Sequence, residues 1–460
     1  MLSENQKASF SELSAKNAAS VSQAAGKRLA LLFDDGVYTQ LDTFAGAGVL
    51  TAYGYVDGNP VYAFAQDPGA DGGAVGKAHA DKVCRLLELA SRSGAPVVGI
   101  YDSIGGYIEE GTDLLNAYGE MLMHISNLSG VVPQISVISG VCAGTSAMLA
   151  ASADFVVMTK NAELYLNPPS MSQKGKGTAE DAYKSGLASV IAENDEKAME
   201  AARKILGMLP SNNLSPAPEF DFADPAKAAT GTAPEIAEAI ADVGSVIALS
   251  DKFGKASYTA LATVGGYSVG IAATNKTADK LTSDDCAKIA RFVSVCDSYS
   301  IPVITIVDTE GFDSAEPTAA VRNAARLANS YAEASCLKLS LITGKAYGAA
   351  YIAMAGANAN SDVVYAYEKA VISPLAPETA VEFMYHDKLS GTSDVNADRA
   401  KLAAEYAANN CSACCAAVNG AVCEVVAPSD VRAKLIGAIE AMGGKRLTKR
   451  LPKKHGNMPF

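Results

Sequence analysis

Gly94–Gly106 reads GAPVVGIYDSIGG, and Ser300–Phe312 reads SIPVITIVDTEGF. Laid over each other, the two stretches align Pro96 with Pro302, Asp102 with Asp308 and Gly105 with Gly311. Each opens on a β-branched apolar run and closes on small and acidic residues, the pattern of a strand buried on both faces that stops at a turn. The correspondence continues outward at an offset of roughly 204 to 208 residues, the sign of an internal repeat. Upstream, VDGNPVYAFA from Val56 meets VGGYSVGIAA from Val264. Downstream, SVISGVCAGTSAML from Ser136 meets SLITGKAYGAAYIA from Ser340, pairing Gly140 with Gly344 and Gly144 with Gly348.

Between the strands lie stretches with helical character, among them 77–93 and 113–129. Alternating strand and helix argues for βα units around largely parallel strands, so the chain reads as an α/β fold duplicated in tandem. The expected organisation is a polar N-terminal segment over residues 1–26, a first domain over 27–210, a linker over 211–234 and a second domain over 235–460. The linker assignment rests on prolines at 216, 218, 225 and 234 and on the lack of apolar periodicity there.

Composition narrows the function. With 460 residues, 49% of them apolar and 19% charged, the chain can bury a substantial core. Its net charge of −12 has the wrong sign for neutralising a phosphate backbone, so no nucleic-acid partner is expected. The basic exception is Lys445, Arg446, Lys449, Arg450, Lys453 and Lys454, read as a solvated or interface tail. Nine cysteines without an extracellular framework point to a reducing compartment. Cys411, Cys414, Cys415 and Cys423 include one Cys-x-x-Cys but no second pair to complete a zinc site, and no metal is expected. The polar N-terminus lacks the apolar run of a signal peptide, and 131–153 is too rich in Gly, Ala, Ser and Thr for a membrane span, so a cytoplasmic location is expected.

In both copies an apolar strand passes through small residues into an Ala-rich, helical stretch: Gly140-Val-Cys-Ala-Gly-Thr-Ser146 and Gly344-Lys-Ala-Tyr-Gly-Ala-Ala350. Such a turn lets a ligand approach the main chain and offers backbone N–H groups to developing negative charge. Two of them suit a group transfer between two carbonyl-bearing partners. Acid–base signposts are scarce: only His79, His124, His386 and His455 exist, and neither G-x-S-x-G nor H-E-x-x-H occurs. A serine hydrolase using Ser146 stays open as a rival reading, disfavoured because the next His in the chain is His386.

With these turns in view, the chain resembles the carboxyltransferase subunits of biotin-dependent acyl-CoA carboxylases and related decarboxylases, a duplicated branch of the crotonase superfamily. The likeness starts at RLALLFDDGVYTQLD from Arg28 and runs through GAPVVGIYDSIGGYIEEG, GVVPQISVISGVCAG, LPSNN, DDCAKIARFVSVCDSYSIPVITIVDTEGF and TGKAYGAAYIAM to KKHGNMPF. It implies two crotonase-like (ClpP/crotonase) spiral β/α domains. It implies an enzyme that moves a carboxyl group between carboxybiotin and the α-carbon of a short-chain acyl-CoA, through an enolate held in oxyanion holes.

On that resemblance, Gly144 and Thr145 would hold the thioester oxygen, and Gly348, Ala349 and Ala350 the ureido oxygen of biotin. Ser103, Gly105, Gly106, Tyr107, Ala143, Tyr347, Tyr351 and Ile352 would contact the substrates. Partners implied are acyl-CoA, a biotin carboxyl carrier protein or domain, and biotin carboxylase or membrane decarboxylase subunits. The family's site forms between the first half of one subunit and the second half of another, so a homo-oligomer, hexamer or dimer, is implied. Alternatives are the same subunit in a sodium-pumping decarboxylase and a non-catalytic scaffold of this fold. Departures are noted: Thr145 replaces a Gly, Asp102-Ser-Ile-Gly-Gly-Tyr107 replaces Asp-Ser-Gly-Gly-Ala-Arg, and the loop after Phe312 is shortened. Lys77 or Lys160 would have to supply the lost cation. Asp102 and Asp308 read first as turn caps, Glu378 as structural or substrate-orienting, and Ile352 equally as core residue or substrate contact.

Overall fold

A computed structural model describes residues 8–171, 176–391, 393–445 and 456–459. The basic run after Lys445 lies outside these residues, as does His455. Two units divide the chain, Met1–Pro216 and Ala217–Phe460.

In the first unit, β2 (Val49–Val56) and β3 (Asn59–Gln66) form a hairpin whose turn residues Asp57 and Gly58 both have positive φ, 48° and 77°. This is the turn geometry whose twist matches paired strands, and Asp-Gly is its preferred sequence. Beside β3 lie β4 (Val97–Ser103), β5 (Gln134–Ala143), β6 (Phe155–Thr159) and β8 (Val190–Ala192), all parallel, while β1 (Tyr38–Leu41) adds antiparallel to β2. β7 (Glu163–Tyr165) pairs with the last residues of β5, past the point where β6 leaves it.

The second unit repeats the design. β9 (Ile247–Leu249), β10 (Ser257–Val264), β11 (Tyr267–Thr274), β13 (Val303–Thr309), β15 (Lys338–Tyr347), β16 (Val363–Ala366) and β18 (Glu424–Val425) follow in the same sheet order, and β17 (Val371–Ser373) pairs with the end of β15 as β7 does with β5. Its hairpin turns at Gly265 and Gly266, again with φ positive, 62° and 82°. A short extra pair joins β12 (Lys280–Leu281) to β14 (Gly311–Phe312).

Side chains repeat as well as strands. The Asp34 carboxylate accepts from the N–H groups of Asp57 (3.1 Å) and Gly58 (3.0 Å) and from Arg203, whose other guanidinium nitrogen donates to the Leu32 carbonyl. Asp242 accepts from Gly265 (3.0 Å), Gly266 (2.9 Å) and Arg432, which also donates to the Ile240 carbonyl. Buried Lys82 donates to the carbonyls of Ala45 (3.1 Å) and Val49 (2.7 Å), and buried Lys288 to those of Phe253 (2.9 Å) and Ser257 (3.0 Å). Burial lowers both ammonium pKa values to about 8.

Each unit has its own core. Helix Lys77–Ser93 buries Val83, Leu86, Leu87 and Ala90 against Phe64, Tyr101, Met121 and Ile138, and ends at Gly94 in the left-handed conformation. Ile236, Ile271, Leu339 and Leu341 centre the second core. Burying one such side chain contributes roughly 1.5–3 kcal/mol.

Two stretches differ from a plain polar segment and linker. Residues Phe10–Val21 form a helix capped by Ser9 and Glu12 that buries none of its side chains. Much of 211–234 packs on the second unit: Phe220 and Ala229 donate to the carbonyls of Gly266 and Pro428, Ala229 and Ala233 join the core, and helix Ala233–Ile240 starts there. The 131–153 run forms β5 and a short helix, and no described helix is long and apolar enough to cross a membrane.

Candidate functional site

The first turn begins where β5 outlasts β4. A Cβ on Gly140 would lie 2.2 Å from Asp102 Oδ1, so only glycine lets β5 pass over that carboxylate. Asp102 is held by Arg28 (2.7 Å), a buried guanidinium that also binds Asp195 (2.8 Å). In the second unit a Cβ on Gly344 would lie 2.3 Å from Asp308 Oδ1, and that carboxylate accepts from Asn275 (2.6 Å) and the Lys345 N–H (2.8 Å). The Asp308 carboxylate thus caps the second turn through the Lys345 N–H, whereas the Asp102 carboxylate is held by an arginine side chain.

The wall of each turn is also duplicated. The Gly105 N–H donates to Ser103 Oγ and the Gly311 N–H to Thr309 Oγ1, both at 3.1 Å, and the two glycines have φ of 118° and 117°. A Cβ on Gly105 would come 3.6 Å from the Ala143 carbonyl oxygen, so this loop lies against the turn. Ser103, Gly105 and Ala143, with Gly144 and Thr145 next in the chain, are thereby brought together, while Gly106 packs on Leu114.

One detail departs from expectation. The N–H of Gly144 donates to the Tyr165 carbonyl (3.0 Å), because β7 zips onto the end of β5. Ala147 donates back to Gly144 (3.0 Å), which leaves Thr145 and Ser146 as the leading N–H groups with no acceptor in their own helix, Thr145–Ala150. Gly144 is needed for its backbone, φ 64° and ψ −139°, a region essentially restricted to glycine, while a Cβ there would meet nothing within 4 Å. The Ser146 hydroxyl shares a hydrogen bond with Tyr118 (3.0 Å) instead of an imidazole, which gives the hydrolase reading no support.

At the second turn, helix Gly348–Met354 presents the N–H groups of Gly348, Ala349 and Ala350 in its first turn. Gly348 (φ 49°) passes close to β17, since a Cβ there would lie 2.7 Å from the Pro374 carbonyl oxygen. Tyr347 is half-buried, and burial, with help from Glu378, raises its pKa. The Tyr351 hydroxyl donates to the Ala421 carbonyl (2.7 Å). Ile352 is 57% exposed, which removes the core reading, and Met148 at the equivalent position is 44% exposed.

Of the two candidate cations, Lys77 pairs with Asp81 (2.7 Å) and Lys160 with Glu193 (3.2 Å), both exposed pairs that hold their lysines only weakly. Tyr107, whose hydroxyl donates to Glu109, lines a cavity of about 520 Å³ together with Lys16, Phe44, His79, Lys82 and Glu110. Burial pushes His79 down to about 3, so it is neutral there at any ordinary pH. Sequence reading missed this cavity and the helix Phe10–Val21 that covers it. It also missed the Lys82 and Lys288 pair, which carrying the repeat offset through each helix would have revealed. Among the described residues no group of three or more His, Cys, Asp or Glu could hold a metal ion.

Residues 29–458 match the model of the carboxyl transferase domain. The chain belongs to the carboxyl transferase family. Relatives of this carboxyltransferase include methylmalonyl-CoA decarboxylase subunit alpha of Propionigenium modestum, 35% identical over 97% of this chain and 95% of the relative. A putative propionyl-CoA carboxylase beta chain of Bacillus subtilis is 34% identical over 92% and 89%. The solved transcarboxylase 12S with methylmalonyl-coenzyme A and methylmalonic acid bound is 32% identical, with a TM-score of 0.90 over 98% of this chain and 94% of that one. The carboxyltransferase is therefore an enzyme subunit of the biotin-dependent acyl-CoA carboxylase and decarboxylase type, with two crotonase-like domains that arose by duplication.

Proposed function

We propose that the first unit binds a short-chain acyl-CoA with its thioester oxygen at the N–H groups of Thr145 and Ser146, and that the second binds biotin carried on a partner chain, with its ureido oxygen at Gly348, Ala349 and Ala350. The observation that carries two such sites is the pair of equivalent strand-to-helix turns, one per unit, each with leading N–H groups that have no acceptor in their own helix, and the assignment of acyl-CoA to the first and biotin to the second follows the family resemblance. Both turns lie beyond a glycine that rides over a fixed aspartate, so the donors are held in place before any ligand arrives.

Biotin supplies the carboxyl carrier and the basic nitrogen that this chemistry requires. The protein's share is electrostatic. As the α-carbon loses a proton or a carboxyl group, charge gathers on the thioester oxygen, and fixed donors stabilise it; losing one such donor costs about 2.7–4 kcal/mol. Thr145 keeps its N–H while placing a branched side chain at the approach. Ile352, exposed beside the second turn, gives the biotin side an apolar surface. The working form is a homo-oligomer served by a biotin carboxyl carrier and by biotin carboxylase or membrane decarboxylase subunits.

The test is an assay of the purified protein with free biotin and malonyl-, methylmalonyl- and glutaconyl-CoA. Biotin-dependent release of CO2 from at least one thioester is expected, and no turnover of any of them refutes the reading. A second reading, service in a decarboxylase complex, is favoured by the 35% identity to two methylmalonyl-CoA decarboxylase alpha subunits. Co-purification with a polytopic membrane subunit in place of an ATP-dependent biotin carboxylase would select it.

A further inference from the structure

The two units share a backbone scaffold around their turns, and among the positions where their side chains differ one pair exchanges charged residues for apolar ones. In the second unit Glu310 follows Thr309, Lys345 follows Gly344, and the two side chains form an ion pair at 2.8 Å, with Asp279 next to the same ammonium at 3.5 Å. In the first unit the equivalent residues are Ile104 after Ser103 and Val141 after Gly140. Strand register makes the equivalence firm, since β4 pairs Ser103 with Cys142 and β13 pairs Thr309 with Ala346. Both loops are tied alike, Ile104 donating its N–H to the Gly72 carbonyl (3.1 Å) and Glu310 to that of Asp279 (2.9 Å).

An exposed isoleucine by itself means little, because much of any protein surface is apolar. This one is informative for two reasons. It is 65% exposed at the rim of a turn with open space over Gly144, and its neighbour has exchanged a charged partner for an apolar one in step with it. Its side chain lies against Gly72, where a Cβ would come 2.9 Å from Ile104 Cδ1.

We propose that Ile104, with Val141 beside it, selects the acyl group at the first turn, favouring a thioester whose α-carbon bears an alkyl branch. This rests on the assignment of acyl-CoA to the first unit. The alkyl group loses contact with water against the isoleucine, whereas the charged rim of the second unit would offer it nothing.

The experiment compares kcat/KM for biotin-dependent decarboxylation of methylmalonyl-CoA and malonyl-CoA, which differ by one methyl group, in the full-length protein. In Ile104→Ala the methylmalonyl-to-malonyl ratio should fall about tenfold, the discrimination one methyl commonly carries, while KM for biotin stays unchanged. The double variant Ile104→Glu with Val141→Lys copies the second unit's pair and should lower the ratio further. A ratio unchanged in both variants overturns the proposal, as does an equal loss with both thioesters. A parent protein that turns over neither thioester overturns the acyl-CoA assignment itself, a result distinct from an active parent whose ratio ignores Ile104.

Discussion

Gly144 and Gly348 hold equivalent places for different physical reasons, and the difference decides what substitution does at each. Gly348 is confined by the Pro374 carbonyl as well as by its φ, so any side chain there distorts the turn itself. Gly144 has open space but a backbone that only glycine adopts without strain, so a side chain there would both strain the turn and project where a ligand approaches. Gly144→Val should therefore weaken acyl-CoA binding first. Ala349→Pro removes one donor from the second turn at a position where helices tolerate proline, and should cut transfer from biotin by roughly 100- to 1000-fold while sparing acyl-CoA affinity. Calorimetric titration with acyl-CoA beside a biotin-dependent rate assay checks both. Equal loss of both functions in either variant would contradict the division of labour. The commitment of the Gly144 N–H to Tyr165 could not be read from the chain, because a three-residue strand 20 positions downstream leaves no periodic signal.

At the scale of elements, the hairpin clasps test how alike the repeats are energetically. Arg432 and Asp242 are both nearly closed to water, at 8% and 4% side-chain exposure, while Arg203 and Asp34 stand at 25% and 30%. Removing one partner of a buried pair leaves an uncompensated charge, typically 3–5 kcal/mol, whereas a partly exposed pair contributes about 1 kcal/mol or less. Arg432→Ala should thus lower the urea midpoint several times more than Arg203→Ala, and equal shifts would show that burial does not separate the two clasps. The parallel strands were legible, and the hairpins left a signal that went unread, since Asp57-Gly58 and Gly265-Gly266 punctuate apolar runs of strand length. The arginines were not, because each belongs to a helix far along the chain from the turn it serves.

For the whole molecule, duplication was the legible fact, and it carried the fold with it: matching prolines, aspartates and glycines in one order leave few other architectures. What remained hidden was the breaking of that symmetry. The cavity under helix Phe10–Val21 is made by polar side chains such as Asn17 and Gln40, which bond each other, and by backbone that composition cannot place. Tyr351 and Ile352 are adjacent, yet one is tied to Ala421 and the other faces outward, a choice set by helix phase.

Lys82 and Lys288 give the duplication a practical use. Amines with a pKa near 8 are partly unprotonated in mildly alkaline buffer and would be strong nucleophiles, yet both are buried, Lys82 at the edge of the cavity under helix Phe10–Val21. An acylating reagent too large for that cavity should mark the surface lysines within minutes and reach these two only when their own unit opens. Timed labelling read by mass spectrometry would then clock the breathing of each half separately, from a single tube and without any engineered probe. Marking of either at the pace of a surface amine would mean that its half is far looser than its packing implies.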